Sequence, residues 1–278
     1  MKILNSNEYI SEKLNISPIT KTRLDDYKGL AIDDKVKKFI NIYGIKWNPV
    51  TNLYDCDGDV VFDTFVGIVD EGKLKIKFGH IKGNFNCSDS GLETLEGAPQ
   101  KVDGIFNCNR NHLTTLKGAP KEVGSFCCNR NILESLEGAP QKIRDGFYCR
   151  NNKLKSLEYA PQEVGTDFYC DGNELTSLEG APQEIGGDFN CNYNKLISLK
   201  GAPTKIGGCF FCCNNCLESL EYAPQYVKQQ FNCSSNRLKA IDCTLQYVGG
   251  DFLYKDNPNM VLPKEKPSWV KGIFTRYI

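Results

Sequence analysis

The sequence predicts a repeat solenoid, a fold in which one short unit is stacked many times along an axis. Two observations predict it: a constant period, and the same residue types at the same places within each period. The phrase Phe-x-Cys-x-x-Asn-x-Leu-x-x-Leu recurs every 21 residues, except for a step of 20 that leads into Phe126. Such a period is typical of coils that bury their apolar side chains only against neighbouring coils. The repeated phenylalanines are Phe85, Phe106, Phe126, Phe147, Phe168, Phe189, Phe210, Phe231 and Phe252.

Within one repeat, the residue order predicts a short parallel strand followed by a bend. Phe168 and Cys170 are two residues apart, so both side chains face the core while Tyr169 faces outward. Asn173 follows where the chain leaves the strand, and a buried asparagine there is expected to hydrogen-bond backbone groups of adjacent coils as an asparagine ladder. The Gly-Ala-Pro segment at 180–182 is too short and proline-marked for a helix, so the opposite side should be extended or turn-rich.

The Asn-x-Leu-x-x-Leu half of the repeat, seen at 173–178, resembles the leucine-rich repeat of the short bacterial type. Phenylalanine and cysteine stand where that family has leucines, and most coils carry one extra residue before the phenylalanine. The resemblance covers roughly residues 81 to 262 and implies a parallel β-sheet on the concave side. The recurring Ser-Leu-Glu-Gly-Ala-Pro-Gln phrase is similar to repeat proteins encoded by tailed bacteriophages, which implies a phage origin.

A helical cap is predicted ahead of the array. Asp33 starts an amphipathic helix that Gly44 ends, and a second short helix is expected over residues 8–14. The apolar face of the first helix is Val36, Phe39, Ile40 and Tyr43.

Three regions follow from these patterns: an N-terminal helical cap at 1–56, a solenoid of about ten coils at 57–262 that is regular from 81, and a C-terminal cap at 263–278. Val60 and Phe62 have the spacing of a repeat phenylalanine and cysteine, which predicts an aberrant first coil. The Asp55–Asp59 segment resembles the start of a calcium loop, but Val60 stands where that loop needs glycine and Val66 where it needs glutamate, so we expect a hairpin turn there. Near the C-terminus, Trp269, Val270, Ile273, Phe274 and Tyr277 predict an apolar cover for the last coil.

Composition argues against several partners. Lysine plus arginine equals aspartate plus glutamate at 34 each, so no net field favours nucleic acid or a membrane. The N-terminus has no apolar signal-peptide core, and no apolar run reaches about 18 residues. We expect a cytoplasmic protein with no membrane contact and no cofactor; a phage-encoded protein would lie in the host cytoplasm.

The cysteine pattern predicts core packing with reduced thiols; disulfide or metal use is the alternative. Eight of the fourteen cysteines share one phase of the repeat, where a free cysteine behaves as a small hydrophobe. They are Cys87, Cys108, Cys128, Cys149, Cys170, Cys191, Cys212 and Cys233.

Two abutting Cys-x-x-Cys units, formed by Cys209, Cys212, Cys213 and Cys216, have zinc-site spacing. Cys212 is committed to the core, while Cys209 and Cys213 face outward about 13 Å apart along a strand. Zinc needs its sulfurs within about 2.3 Å, so no metal site is expected.

No catalytic constellation is predicted, because His80 and His112 have neither nucleophile nor metal spacing. Binding is predicted instead at outward positions that the core does not dictate, where tyrosine and arginine are typical of binding hot spots. These candidate protein-binding residues are Tyr148, Tyr169, Tyr193, Phe211, Arg110, Arg130, Arg150 and Asp171. The alternative is that Tyr148 and Tyr169 merely form a cross-strand stack.

The sequence therefore favours a non-enzymatic protein-binding module whose concave sheet captures a host or defence protein. The alternative is a packaged virion component, because residues 1–14 resemble the N-terminal peptide that directs some phage internal proteins into the head. An ordinary capping helix is the simpler interpretation of that segment. The pattern specifies neither the partner nor the oligomeric state.

Overall fold

A computed structural model describes residues 32–62, 67–261 and 265–275, and it forms a β-solenoid with the predicted period. Each regular coil contributes two short strands separated by a corner. The strands after the corner carry the repeat phenylalanine and form one row, called here the phenylalanine row. They are β3 (Val60–Val61), β7 (Phe85–Asn86), β8 (Lys101–Asn107), β9 (Glu122–Cys127), β11 (Phe147–Tyr148), β13 (Phe168–Tyr169), β15 (Phe189–Asn190), β17 (Phe210–Phe211), β19 (Phe231–Asn232), β21 (Phe252–Leu253) and β22 (Phe274–Thr275).

The strands before the corner form a second parallel row, which β8 and β9 also join because they run through the corner. The remaining members are β2 (Leu53–Cys56), β6 (Phe78–Ile81), β10 (Lys142–Ile143), β12 (Glu163–Val164), β14 (Glu184–Ile185), β16 (Lys205–Ile206), β18 (Tyr226–Val227) and β20 (Tyr247–Val248). Outside both rows lie β1 (Lys46–Asn48), β4 (Val69–Asp70) and β5 (Lys73–Leu74). This second row is not predicted above; its signal in the sequence is the valine or isoleucine four residues before most phenylalanines, which is buried in the structure.

Parallel pairing holds equivalent residues of neighbouring coils in register. Phe168 pairs with Phe189, and Val60 pairs with Phe85, which confirms the predicted aberrant first coil. Phe274 pairs with Phe252, so the C-terminal segment adds another rung to the phenylalanine row. That segment was expected only to cover the array; the missed signal is that Val270 precedes Phe274 by the usual four residues.

The core is a set of residue ladders along the solenoid axis. All nine repeat phenylalanines are fully buried, and neighbouring ring centroids are 5.0–5.9 Å apart. Full burial of such a side chain contributes about 1.5–3 kcal/mol. The in-phase cysteines are equally buried, which confirms their core position, and burial raises the pKa of a thiol such as Cys170 well above its usual value. All fourteen cysteines are free.

An asparagine ladder joins each coil to the one before it, as predicted. The side-chain amide of Asn173 donates to the carbonyl oxygens of Cys170 at 2.9 Å and Cys149 at 3.0 Å. Its Oδ1 accepts the backbone N–H of Leu154 at 3.1 Å. Equivalent bonds to the preceding coil are made by Asn111, Asn131, Asn152, Asn194, Asn215, Asn236 and Asn257.

The N-terminal helix α1 (Ile32–Ile42) confirms the predicted cap helix. Its Phe39 packs edge-on against Phe62 with centroids 5.4 Å apart. Gly44 has φ +60°, and the N–H of Ile45 bonds the carbonyl of Ile40 at 2.9 Å, which ends the helix. The second predicted helix at 8–14, and with it the packaging-peptide resemblance, lies outside the described residues.

The predicted hairpin turn at Asp55–Asp59 is wrong. The two flanking strands do not pair with each other: β2 pairs with β1 and β6, whereas β3 pairs with β7. The segment is a corner of the first coil. Its acidic side chains cap the next coil, since Asp55 and Asp59 each accept a backbone N–H, from His80 and Asn84, at 2.7 Å.

The asparagine ladder predicts a strong asymmetry between two identical substitutions. Asn173→Asp places an acceptor opposite two buried carbonyl oxygens and should lower the free energy of unfolding by about 3–5 kcal/mol. Asn151→Asp, at an exposed position where either residue tolerates positive φ, should change it by less than about 0.5 kcal/mol. Denaturant titration measures both. Equal effects would mean that the ladder does not hold the coils together.

Candidate protein-binding site

The candidate residues lie on the outward face of the phenylalanine row and on the bend that follows it. Counting from the phenylalanine as position 0, positions +1 and +3 point away from the core because position +2 is the buried cysteine. Tyr148, Tyr169 and Phe211 occupy position +1, while Arg150 and Asp171 occupy +3. Arg110, Arg130 and Tyr193 occupy position +4. We call positions +1, +3 and +4 together the outward face.

Tyr148 and Tyr169 form an edge-to-face pair with ring centroids 5.4 Å apart. The hydroxyl of Tyr148 donates to Asp167 and that of Tyr169 to Asp188, each at 3.3 Å. Tyr148 is only 6% exposed, so it is mainly a packing residue, as the alternative of a cross-strand stack describes. Tyr169 is half-buried and leaves part of its ring at the surface.

Arg150 forms an ion pair with Asp171 and lies over the ring of Tyr169. Nε of Arg150 lies 2.6 Å from Oδ1 of Asp171, and the guanidinium carbon is 5.5 Å from the ring centroid of Tyr169. Burial raises the pKa of Asp171 although the Arg150 charge opposes that shift. The arginine is therefore fixed by a buried carboxylate and a ring, which reduces the side-chain entropy that it would lose on binding.

Position +4 is a left-handed bend in every coil from Asp89 to Asp256, with φ between +53° and +70°. Glycine, asparagine and aspartate adopt this conformation readily, but other side chains cost about 1 kcal/mol there. Five of these nine coils follow this preference, whereas the coils with Arg110, Arg130, Tyr193 and Ser235 do not. Ser235 is half-buried, but Arg110, Arg130 and Tyr193 are exposed, Tyr193 by 63%. Among the described residues, neither arginine has an ion-pair partner.

Aspartate and asparagine side chains at positions −1 and +3, which were not among the predicted site residues, hydrogen-bond the backbone of the next coil beneath this face. At position −1, Asp188 Oδ1 accepts the N–H of Cys209 at 2.7 Å. At position +3, Asn129 Oδ1 accepts the N–H of Arg150 at 2.8 Å. The available signal was the recurrence of aspartate or asparagine at these positions. Through such bonds the backbone at positions −1 and +3 is held by a side chain of the coil before it.

Phe211 completes the aromatic part of the face. It is half-buried and lies in register with Asn190, which in turn pairs with Tyr169. With strands about 4.8 Å apart, Tyr169 and Phe211 are separated by about 10 Å. Tyr148, Tyr169, Arg150 and Asp171 thus form the centre of the candidate site. The exposed Arg110 and Arg130 lie on one side of it, and the exposed Tyr193 and half-buried Phe211 lie on the other.

A groove of about 800 Å³ lies on the second row, where β9 passes through the corner. Arg144 crosses this groove and donates from Nη2 to the carbonyl oxygen of Asp103 at 3.0 Å, two coils away. Its lining includes the ion pairs Lys101–Glu122 at 2.9 Å and Lys142–Glu163 at 2.7 Å. Because these charges neutralise each other, we do not place the candidate site here.

The remaining candidates for chemistry stay apart. His80 lies 3.0 Å from Asp103, whereas His112 is exposed on a bend. Cys212 points into the core, and Cys213 bonds the carbonyl of Asn232 at 3.4 Å. In the part of the chain that the structure describes, no three His, Cys, Asp or Glu residues are grouped to hold a metal ion.

Comparison with known proteins gives no relative: the chain matches no family model, no curated protein and no solved structure. No helix within the described ranges is long and apolar enough to span a bilayer. The geometry of the outward face is therefore the basis for assigning a function.

Asp171 predicts an unusual pH dependence of stability. Its folded pKa lies above the ordinary value of 3.8, so ionisation opposes folding at neutral pH, and this penalty is lost as the pH falls through the folded pKa. Asp171→Asn should be at least as stable as the parent near pH 7 and should lack the parent's gain in stability towards about pH 4.

Urea titrations at several pH values measure this effect, with the exposed Asp256→Asn as the matched control. The control should retain the parent's profile. A loss of more than about 1 kcal/mol for Asp171→Asn near pH 7 would instead mean that attraction to Arg150 exceeds the cost of burial.

Proposed function

We propose that this protein is a non-enzymatic binding module that captures one folded protein on its outward face. The observation that carries the proposal is the strain at position +4. Where a glycine or asparagine would satisfy the bend, three coils hold Arg110, Arg130 and Tyr193, all exposed. Departures from a local rule that bring the fold no contact are typical of functional positions.

The chemistry of the face indicates what its partner presents. Arg110 and Arg130 lie in adjacent coils without ion-pair partners in the described chain, so they favour acidic groups on the partner. Tyr169, Tyr193 and Phe211 offer ring surface to apolar groups. The side chains of Arg150, Asp171 and Tyr169 already contact one another, so they need little reordering when a partner binds. This favours affinity per contact.

The finer identity of the module is also a proposal. The asparagine ladder and the Asn-x-Leu-x-x-Leu spacing support a leucine-rich repeat of the short bacterial type. The phage-like repeat phrases support a partner in the bacterial host, such as a defence protein that the module would occlude in the host cytoplasm. The alternative, a packaged virion component, depends on residues 1–14; mass spectrometry of purified particles tests it.

A variant that improves the local backbone while removing the contact groups tests the proposal. Arg110→Asn, Arg130→Asn and Tyr193→Asn combined should leave stability unchanged or raise it by about 1–2 kcal/mol, because asparagine suits the left-handed bend. The same variant should lose the partner. Affinity capture from lysate of the bacterial host, with quantitative mass spectrometry, measures the loss.

The matched control is Ser235→Asn, the same change of backbone preference at position +4 in a coil outside the candidate site. It should capture the stoichiometric partner as well as the parent does. Undiminished capture by the triple variant, in a preparation that is fully folded, would remove position +4 from the binding site.

A further inference from the structure

A second set of strained tyrosines lies on the other side of the coil, at position +12. This position has positive φ in seven coils. Five of the seven hold glycine, with φ between +85° and +95°: Gly97, Gly118, Gly138, Gly180 and Gly201. The other two hold Tyr159 and Tyr222, with φ +65° and +66°. Tyrosine therefore replaces the usual glycine at position +12 in two coils.

The backbone shows why glycine suits this position. A Cβ added at Gly180 would lie 2.4 Å from the carbonyl oxygen of Leu157, and one added at Gly118 would lie 2.6 Å from that of Leu95. A side chain at this position therefore meets a carbonyl oxygen of the preceding coil unless the backbone shifts. Both rings nevertheless remain at the surface, since Tyr159 is 52% and Tyr222 is 49% exposed. The fold gains little packing from either tyrosine.

Each ring stands beside a carboxylate. Glu158 raises the pKa of Tyr159 through its charge and by accepting a hydrogen bond from the phenol. Glu221 raises the pKa of Tyr222 by accepting the equivalent hydrogen bond and through its charge. Neither glutamate has an ion pair with a described lysine or arginine. The nearby lysines are already engaged, because Lys200 lies 2.9 Å from Glu179 and Lys117 lies 2.9 Å from Glu137. The combination of an aromatic face and an unpaired carboxylate selects a cation.

The two sites are chemically the same and are held at a fixed distance. Both occur in the phrase Leu-Glu-Tyr-Ala-Pro-Gln, at 157–162 and 220–225, three coils apart. Three strand spacings of about 4.8 Å separate the rings by about 14 Å. Gly180 and Gly201 occupy position +12 in the two coils between them, so no side chain at that position fills the space.

We propose that Tyr159 and Tyr222 form a second binding surface, which takes an extended peptide segment carrying two cationic side chains about 14 Å apart. An extended chain advances about 3.3 Å per residue, so arginines at positions i and i+4 match this spacing, whereas those at i and i+2 do not. This surface is separate from the outward face and does not depend on the function proposed for it.

The experiment uses fluorescently labelled Gly/Ser peptides and the whole protein at low ionic strength, with binding followed by fluorescence anisotropy. The peptides carry two arginines at i and i+4, two at i and i+2, one arginine, or two glutamines at i and i+4. Because the second arginine binds as an intramolecular event, the i, i+4 peptide should bind about tenfold more tightly than the one-arginine peptide. The i, i+2 peptide should match the one-arginine peptide, and the uncharged glutamine peptide should not bind.

Tyr159→Gly or Tyr222→Gly should reduce the i, i+4 peptide to the affinity of the one-arginine peptide. Each change restores the glycine of the neighbouring coils, so the melting temperature should stay the same or rise. Glu158→Gln with Glu221→Gln should weaken binding while both rings remain. The matched control is Tyr193→Gly, which removes an exposed tyrosine from another left-handed position and should leave peptide affinity unchanged.

Several results would overturn the proposal. They are affinity that is independent of arginine spacing, equal binding of the glutamine peptide, and the absence of saturable binding up to millimolar peptide. An equal loss for Tyr193→Gly would show non-specific adhesion to exposed tyrosine. None of these results bears on partner capture by the outward face, which the position +4 variants test separately.

Discussion

The side-chain amide of one asparagine per coil is the contact on which the rest of this solenoid depends. Each coil is too short to bury its own backbone polar groups, and a buried unsatisfied group costs about 1–3 kcal/mol. Asn173 supplies two donors and one acceptor at the place where the chain leaves the strand, bonding both its own coil and the one before. Coils are thereby fixed in register, and the phenylalanine and cysteine ladders follow from that register. The 21-residue period of the sequence follows from this constraint, because each coil must place its asparagine next to that of its neighbour.

The same register separates the residues that the fold dictates from those that it does not. Inward positions are fully determined, since each must stack on its equivalent in the next coil. Bend positions are determined in backbone conformation alone: position +4 and position +12 need positive φ, but nothing covers their side chains. A residue that is costly in backbone terms and exposed, such as Tyr193 or Tyr222, is therefore not explained by folding. In an irregular protein such a residue would be hard to interpret, whereas here the equivalent glycine or asparagine in neighbouring coils provides a reference.

Sequence periodicity was sufficient for the ladders, the cap helix and the aberrant coil at Val60, because each rests on spacing alone. It failed where a contact between coils decides the outcome. Tyr148 and Tyr169 occupy equivalent positions and look alike in sequence, yet Tyr148 is buried against Asp167 and its neighbours. The corner at Asp55–Asp59 has hairpin composition, but parallel pairing of its flanking strands with later coils excludes a hairpin. The second row was not predicted because strands of two residues are too short to show an alternation of apolar and polar residues. Phe274 was not predicted as a repeat phenylalanine because its coil has one extra residue.

The outward face and position +12 place two different kinds of surface on one scaffold. The outward face combines unpaired arginines with partly exposed rings, so it suits an acidic and apolar protein surface. The tyrosines at position +12 stand beside unpaired glutamates, so they suit cations. Opposite electrostatic character on separate sides of a coil allows both surfaces to be occupied at once without competition between their ligands. A solenoid favours this arrangement, because each side is built from different phases of the period and either can change without disturbing the asparagine amides that hold the coils together.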